Sequence, residues 1–247
     1  MVEIETVPCL SDNYAYLVRV DGQCAVIDPS EAAPVRAALA KRGDRLDFIL
    51  NTHHHLDHCG GNLELKQEFG AKVVGAAKDA ARLPGLDIGV DEHTAWAFGG
   101  LQVQVLEVPG HTLGAITYVI DGKAFTGDTL FLMGCGRMFE GDAAMMWASL
   151  SKLMTLPDTT QLYCGHEYTR NNGRFALTLE PGNDALQARM RELETSSPIT
   201  VPATLALEKK TNPFLRPDSN EIRKHLELEK ADTVTVFAAI RARKDNF

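Results

Sequence analysis

At 247 residues, with 45% hydrophobic and 23% charged residues, the chain has the composition of a globular protein with room for a substantial core. Its net charge of −8 argues against a general nucleic-acid binder, which carries a basic footprint. No apolar run approaches the roughly 18 residues of a membrane helix, so neither nucleic acid nor membrane is an expected partner, and a monomer is expected. The start, Met1-Val2-Glu3-Ile4-Glu5, lacks the basic and apolar regions of a signal peptide. Five scattered cysteines, odd in number and without a C-x-x-C pair, point to reduced thiols in the cytoplasm.

In chain order, residues 2–8 and 14–20 read as strands. Asp21-Gly22 is a hairpin signal, with a return strand at 23–27. Ser30 is the expected N-cap of a helix that carries its spacing from Val35 to Lys41 and stops at Gly43. Leu46 to Asn51 reads as a buried strand and Asn62 to Phe69 as an amphipathic helix. Lys72 to Gly75 is a short strand, and residues 78–100 read as irregular. Leu101 to Val108 alternates as a strand should, and a second hairpin turns at Asp121-Gly122. Asp142 to Leu156 reads as a helix and Gln161 to Cys164 as a strand. Beyond about residue 171 no convincing strand follows, and Asn183 to Thr195 and Asp232 to Lys244 read as helices. A domain boundary is expected there, giving domains 1–170 and 171–247.

Between the strand at 46–51 and the helix at 62–69 lies Thr52-His53-His54-His55-Leu56-Asp57-His58, which holds four of the eight histidines. Each imidazole has two nitrogens that require partners, so such crowding suits metal binding better than packing. His53 and His55 are two apart and share one side of an extended segment. They can grip one ion. Asp57 and His58 follow a turn of the chain and reach a second point, while His54 points away. His111, Asp128 and His166 each follow an expected strand and have a neighbouring glycine. Five imidazoles and two carboxylates exceed what one ion takes and suit two ions sharing a carboxylate, for which Asp128 is the choice. His93 and His225 have no companions and read as surface residues. Cys59 reads as a small buried residue.

Thr52 to His58, Pro109-Gly110-His111-Thr112, Gly127 to Phe131 and Cys164 to Tyr168 resemble the metallo-β-lactamase superfamily. Three further stretches, Gly134 to Gly141, Gly165 to Asn172 and Arg241 to Phe247, narrow the resemblance to the glyoxalase II (hydroxyacylglutathione hydrolase) family. The resemblance covers essentially the whole chain. It implies an α+β fold, an αββα sandwich with a small C-terminal helical domain that binds glutathione. By position it implies that His53, His55 and His111 hold one metal, that Asp57, His58 and His166 hold the other, and that Asp128 bridges. The cofactors implied are two divalent metal ions, zinc first, with iron or manganese as the other candidates.

The implied activity is hydrolysis of S-D-lactoylglutathione and related 2-hydroxyacyl thioesters to glutathione and D-lactate, the second step of methylglyoxal detoxification. A hydroxide bridging the metals would attack the thioester carbonyl, with Asp57 and Asp128 as the catalytic carboxylates. Arg137, Phe139, Tyr168, Arg241 and Lys244 match the family's glutathione contacts. Phe139 stands where many members have tyrosine. Two other readings compete: another enzyme on the same scaffold, whether a dinuclear hydrolase such as a lactonase or a β-lactamase-like enzyme, a nuclease or a mononuclear-iron persulfide dioxygenase, and a non-catalytic module with closed metal sites.

Overall fold

The computed structural model describes residues 2–247. The chain forms two compact units, Met1–Glu107 with Gly114–Gly127, and Val108–Leu113 with Asp128–Phe247.

The first unit begins with a six-stranded sheet: β1 (Glu3–Cys9), β2 (Asn13–Val20), β3 (Gln23–Ile27), β4 (Phe48–Leu50), β5 (Lys72–Ala76) and β6 (Leu86–Val90), in that order. The β1/β2 and β2/β3 pairs are antiparallel. Asp21 and Gly22 make the β2–β3 turn with φ of 45° and 80°, the left-handed pair that a tight hairpin requires. From β3 to β6 the pairing is parallel. Parallel neighbours need crossovers. These are α1 (Ala32–Arg42) and the pair α2 (Leu56–Cys59) and α3 (Asn62–Phe69). Val35, Leu39 and Leu65 from the helices pack on Leu17, Val26, Ile49 and Val73 from the sheet.

The other face of this sheet meets an antiparallel meander of β7 (Trp96–Phe98), β8 (Leu101–Glu107), β9 (Ile116–Ile120) and β10 (Lys123–Gly127). Tyr16 lies 5.6 Å from Phe125 and Phe48 lies 6.0 Å from Phe98, ring centre to ring centre. The Tyr118 hydroxyl is within 3.1 Å of the Asn51 carbonyl and 3.3 Å of the Val74 carbonyl, so its one polar atom is satisfied inside the layer. Covered on both faces, β2 is buried at all eight positions.

The second unit contains β11 (Leu130–Phe131), β12 (Gly134–Cys135), α4 (Ala143–Leu153), β13 (Gln161–Cys164), α5 (Thr169–Leu179), α6 (Asp184–Thr195), β14 (Ala203–Thr204), α7 (Leu205–Thr211), α8 (Asn220–His225) and α9 (Thr233–Asp245). Its helices share an apolar centre that includes Met133, Ala176 and Leu186 and an aromatic series Phe175, Phe214 and Phe237. A buried polar network ties the Met133 turn to the helices. Glu208 accepts from the Met133 amide at 2.7 Å and pairs with Arg189 at 2.6 Å.

The structure corrects four expectations. Residues 78–100 are not irregular throughout, because β6 and β7 lie within them. Both are short edge strands with exposed alternate residues, which weakens their pattern. Ser30 does not cap α1. Glu31 holds the N-cap position in extended conformation, and its carboxylate accepts from the Leu10 amide at 2.7 Å. The stretch after residue 171 contains a two-residue strand, β14, paired with β13. It also holds α7, α8 and most of α5, which Asn171, Asn172 and Gly173 disguise as a turn. There Asn172 donates to the Leu132 carbonyl at 3.0 Å, and Gly173 lets Met190 approach the backbone. Tertiary contacts override weak helix propensity in that segment.

Candidate metal centre and adjoining cationic pocket

In the first unit, β3 and β4 are parallel neighbours, so Asp28 and Thr52 emerge side by side at their C-terminal ends. This is where open parallel sheets place their chemistry. Asp28, at φ 49° and nearly fully buried, is the hub. Its Oδ1 accepts from the Thr52 amide at 2.8 Å, and its Oδ2 accepts from the Thr52 hydroxyl at 2.6 Å. The same Oδ2 lies 3.0 Å from His58 Nδ1. Since the Thr52 proton goes to Asp28, the Thr52 oxygen is the acceptor for His53 Nδ1 at 3.0 Å. These bonds place the ring protons of His53 and His58 on Nδ1 and leave both Nε2 atoms with a lone pair. Metal-binding histidines are held by such outer bonds.

His53 Nε2 lies 3.2 Å from His55 Nδ1. Two ligands of a tetrahedral ion with bonds of 2.0–2.1 Å stand about 3.3 Å apart, so this pair fits one ion. Asp57 and His58 sit on α2, with Asp57 Oδ2 3.7 Å from His58 Nε2. Asn13 donates to both the Asp57 carbonyl and its carboxylate. His54 turns aside: its Nδ1 lies 3.0 Å from Asp79 Oδ2, and Asp79 pairs in turn with Arg82. Cys59 is buried, its sulfur 3.3 Å from the His54 and His55 carbonyls, and burial pushes its thiol up to about 12. The thiol is thus engaged with backbone carbonyls of the loop.

In the second unit, His111, Asp128 and His166 converge. Asp128 Oδ2 lies 3.5 Å from His111 Nε2 and 3.4 Å from His166 Nε2. These separations again match ligand-to-ligand edges, with one carboxylate oxygen common to both. His111 Nδ1 donates to the Arg137 carbonyl at 2.8 Å, which leaves its Nε2 as the donor to an ion. A side chain at Gly136 would collide with the Asp128 carbonyl and crowd His111 Nδ1, so the loop closes only over glycine. His166 stacks on Tyr168 at 4.8 Å, nearly parallel. The donor chemistry in each unit thus fits transition-metal binding.

A cavity of about 440 Å³ in the second unit runs from His111 and Asp128 to Arg137, Phe139, Tyr168, Arg241 and Lys244. Arg241 is buried, donates to the Cys135 carbonyl at 2.9 Å and lies over the Phe214 ring. The Lys244 ammonium lies 5.3 Å from the Phe175 ring centre and 5.0 Å from that of Phe247. Burial, with help from Arg241, lowers its pKa to about 8. Phe139 is exposed and packs edge-on to His111 at 5.3 Å. His93 and His225 are exposed, as expected. Sequence reasoning missed Asp28, Asp79 and Asp245. For Asp28 the available signal was an acidic residue closing an otherwise apolar strand.

Among the described residues, no helix is long and apolar enough to cross a membrane. Residues 11–166 match the model of the metallo-beta-lactamase superfamily, and residues 167–247 match that of the hydroxyacylglutathione hydrolase C-terminus. A hydroxyacylglutathione hydrolase of Methylococcus capsulatus is 50% identical over 254 residues, covering 100% of this chain and 99% of that protein. Among solved structures, ETHE1 from Myxococcus xanthus is 27% identical with a TM-score of 0.67, covering 99% of this chain and 98% of that one. A protein solved in a di-iron-bound form is 26% identical with a TM-score of 0.62, covering 86% of this chain and all of that one. With both family models matching in tandem and half of all positions shared with a full-length relative, the chain belongs to the hydroxyacylglutathione hydrolase family of the metallo-β-lactamase superfamily, with its αββα fold and helical C-terminus.

Proposed function

We propose that the chain hydrolyses S-D-lactoylglutathione, and other 2-hydroxyacyl thioesters of glutathione, to glutathione and the free acid. The observation that carries this reading is the cavity of the second unit, where three cationic side chains, Arg137, Arg241 and Lys244, share one space with His111 and Asp128. A substrate with an anionic peptide at one end and a reactive carbonyl at the other is served by that arrangement. The similarity to hydroxyacylglutathione hydrolases over the whole chain supports it and disfavours a lactonase or a β-lactamase-like enzyme. We assign the catalytic role to residues 1–170 and the peptide-holding role to 171–247.

On the family pattern, His53, His55 and His111 would hold one divalent ion, Asp57, His58 and His166 the other, and Asp128 would serve both. Zinc is our first choice, and the di-iron-bound neighbour keeps iron in view. Bound there, the ions would supply a water of lowered pKa and a positive field for the charge that develops on the thioester carbonyl. The protein's part is to fix the donors. Asp28 and the Arg137 carbonyl set the ring protons of His53, His58 and His111 so that the metal-facing nitrogens stay unprotonated. Arg241, fixed from behind, and Lys244, set between rings, meet the peptide's carboxylates as charge-assisted pairs. Phe139 contributes a ring and no hydroxyl, so recognition at that point is apolar. The leaving thiolate has a conjugate thiol of pKa about 8.5 and departs without a strong protein acid. The five free, buried thiols and the absence of a membrane-crossing helix among the described residues support a cytoplasmic setting, and we take the chain to act as a monomer.

The test is loss of thioester absorbance on adding purified protein to S-D-lactoylglutathione, with metal content measured on the same sample. Rapid loss with close to two metals per chain is expected. Metal-loaded protein that leaves the thioester intact would overturn the assignment.

A further inference from the structure

The charge pattern of the cavity extends beyond its cations. Asp245, at the last turn of α9, lines the same space and, among the described residues, shares with Asp128 the acidic side chains there. Its contacts are one-sided. Arg241 reaches Oδ1 through Nε at 3.1 Å and Nη2 at 2.8 Å, and Arg137 Nε stands 3.3 Å from the same oxygen. Among the described residues, none of these bonds uses Oδ2, and the side chain is 40% exposed. Arg241 is buried and anchored on the Cys135 carbonyl, so the carboxylate it grips is held in orientation too.

The pocket therefore offers three positive groups and, on one open oxygen, a negative one. A glutathionyl group carries two carboxylates and one α-ammonium, the complementary set. Three cations would repel that ammonium unless an anion faced it. We propose that Asp245 Oδ2 receives the α-ammonium of the γ-glutamyl end and so selects thioesters whose peptide keeps a free amine. The inference rests on the glutathione reading above. Asp245 is then a specificity-determining residue in contact with substrate. Its arginine contacts through Oδ1 leave that role intact. Thioesters of an N-acylated peptide, or of a carrier that has only anionic groups, lose the pairing with Oδ2.

The experiment compares S-D-lactoylglutathione with its N-acetyl counterpart on the metal-loaded wild type, D245N and D245E. Calorimetric titration of glutathione and N-acetylglutathione provides a second readout without turnover. The wild type should favour the free amine by about tenfold in kcat/KM, carried in KM, and by a similar factor in binding. D245N keeps an oxygen for the arginines and puts an amide nitrogen near the ammonium, so its preference should fall to near unity. D245E retains the carboxylate and should retain part of the preference. Equal discrimination by wild type and D245N, or none by wild type, overturns the proposal while hydrolysis of lactoylglutathione still stands. If neither peptide binds and neither thioester is cleaved, the glutathione reading falls, and this proposal falls with it.

Discussion

The histidine loop of the first unit and the cationic pocket of the second hold charged groups in contrasting ways. In the loop, one buried carboxylate, Asp28, takes three hydrogen bonds within 3.0 Å and fixes Thr52, His53 and His58 through them. In the pocket, Asp245 and Arg137 are exposed, Lys244 is half-buried, and fixation comes from rings and from a carboxylate that water reaches. Buried polar networks are costly to break because each orphaned partner keeps its desolvation penalty. Half-exposed charges are screened and respond in small steps. The loop should therefore fail sharply and the pocket gradually.

The largest effect is expected from Asp28→Ala. It strands the Thr52 amide and the His58 ring proton, each at about 1–3 kcal/mol, and frees the histidines to take the wrong tautomer. Metal affinity should drop on the order of 10–100-fold, measured by competition with a chelator, and thermal unfolding should shift down in the metal-free protein as well. If Asp28→Ala binds metal as tightly as wild type, the loop is not held in the way described. Next in size is Gly136→Ala. Its new methyl meets the Asp128 carbonyl, which is backbone and cannot swing aside. A loss of about 1–3 kcal/mol in stability is expected, and turnover should fall further than that loss explains, because Asp128 and His111 shift together. Unchanged turnover at normal stability would show that the loop has slack.

The smallest effect belongs to the pocket. Protonated Lys244 attracts a carboxylate and neutral Lys244 does not, so affinity is full below its pKa and fades as pH rises through about 8. Between pH 7 and 9 the charged fraction falls from about nine-tenths to about one-tenth, so KM should rise several-fold, up to about tenfold. Lys244→Ala should begin with a raised KM and lose that slope. A wild-type KM that stays flat to pH 9 would mean that the ammonium does not meet the substrate.

How much of this was legible in the sequence follows from the same contrast. Four histidines in six positions announce themselves, because crowding is visible without a fold. Asp28 does not, since its partner Thr52 is 24 positions away and only parallel pairing of β3 with β4 joins them. Taken alone, Arg241 and Lys244 read better as a solvated helix end favoured by the helix dipole, and the resemblance to a known family is needed to see them as a pocket. Nothing in the sequence sets Asp245 apart from that charged end. Its one-sided contacts depend on Arg137, more than a hundred positions earlier. Both hairpins were legible from Asp-Gly alone, whereas β6 and β7 were not, because edge strands show too little of the alternation that marks a strand.

The buried thiols have a consequence for the working life of the molecule. Cys24, Cys59, Cys135 and Cys164 are pushed up to about 12 and Cys9 to about 11, chiefly by burial. At neutral pH only on the order of one in 10⁴ to 10⁵ of them is ionised, and the thiolate is the form that attacks electrophiles and exchanges with disulfides. All five sulfurs are therefore weak nucleophiles at neutral pH, a property that comes from the same packing that builds the core.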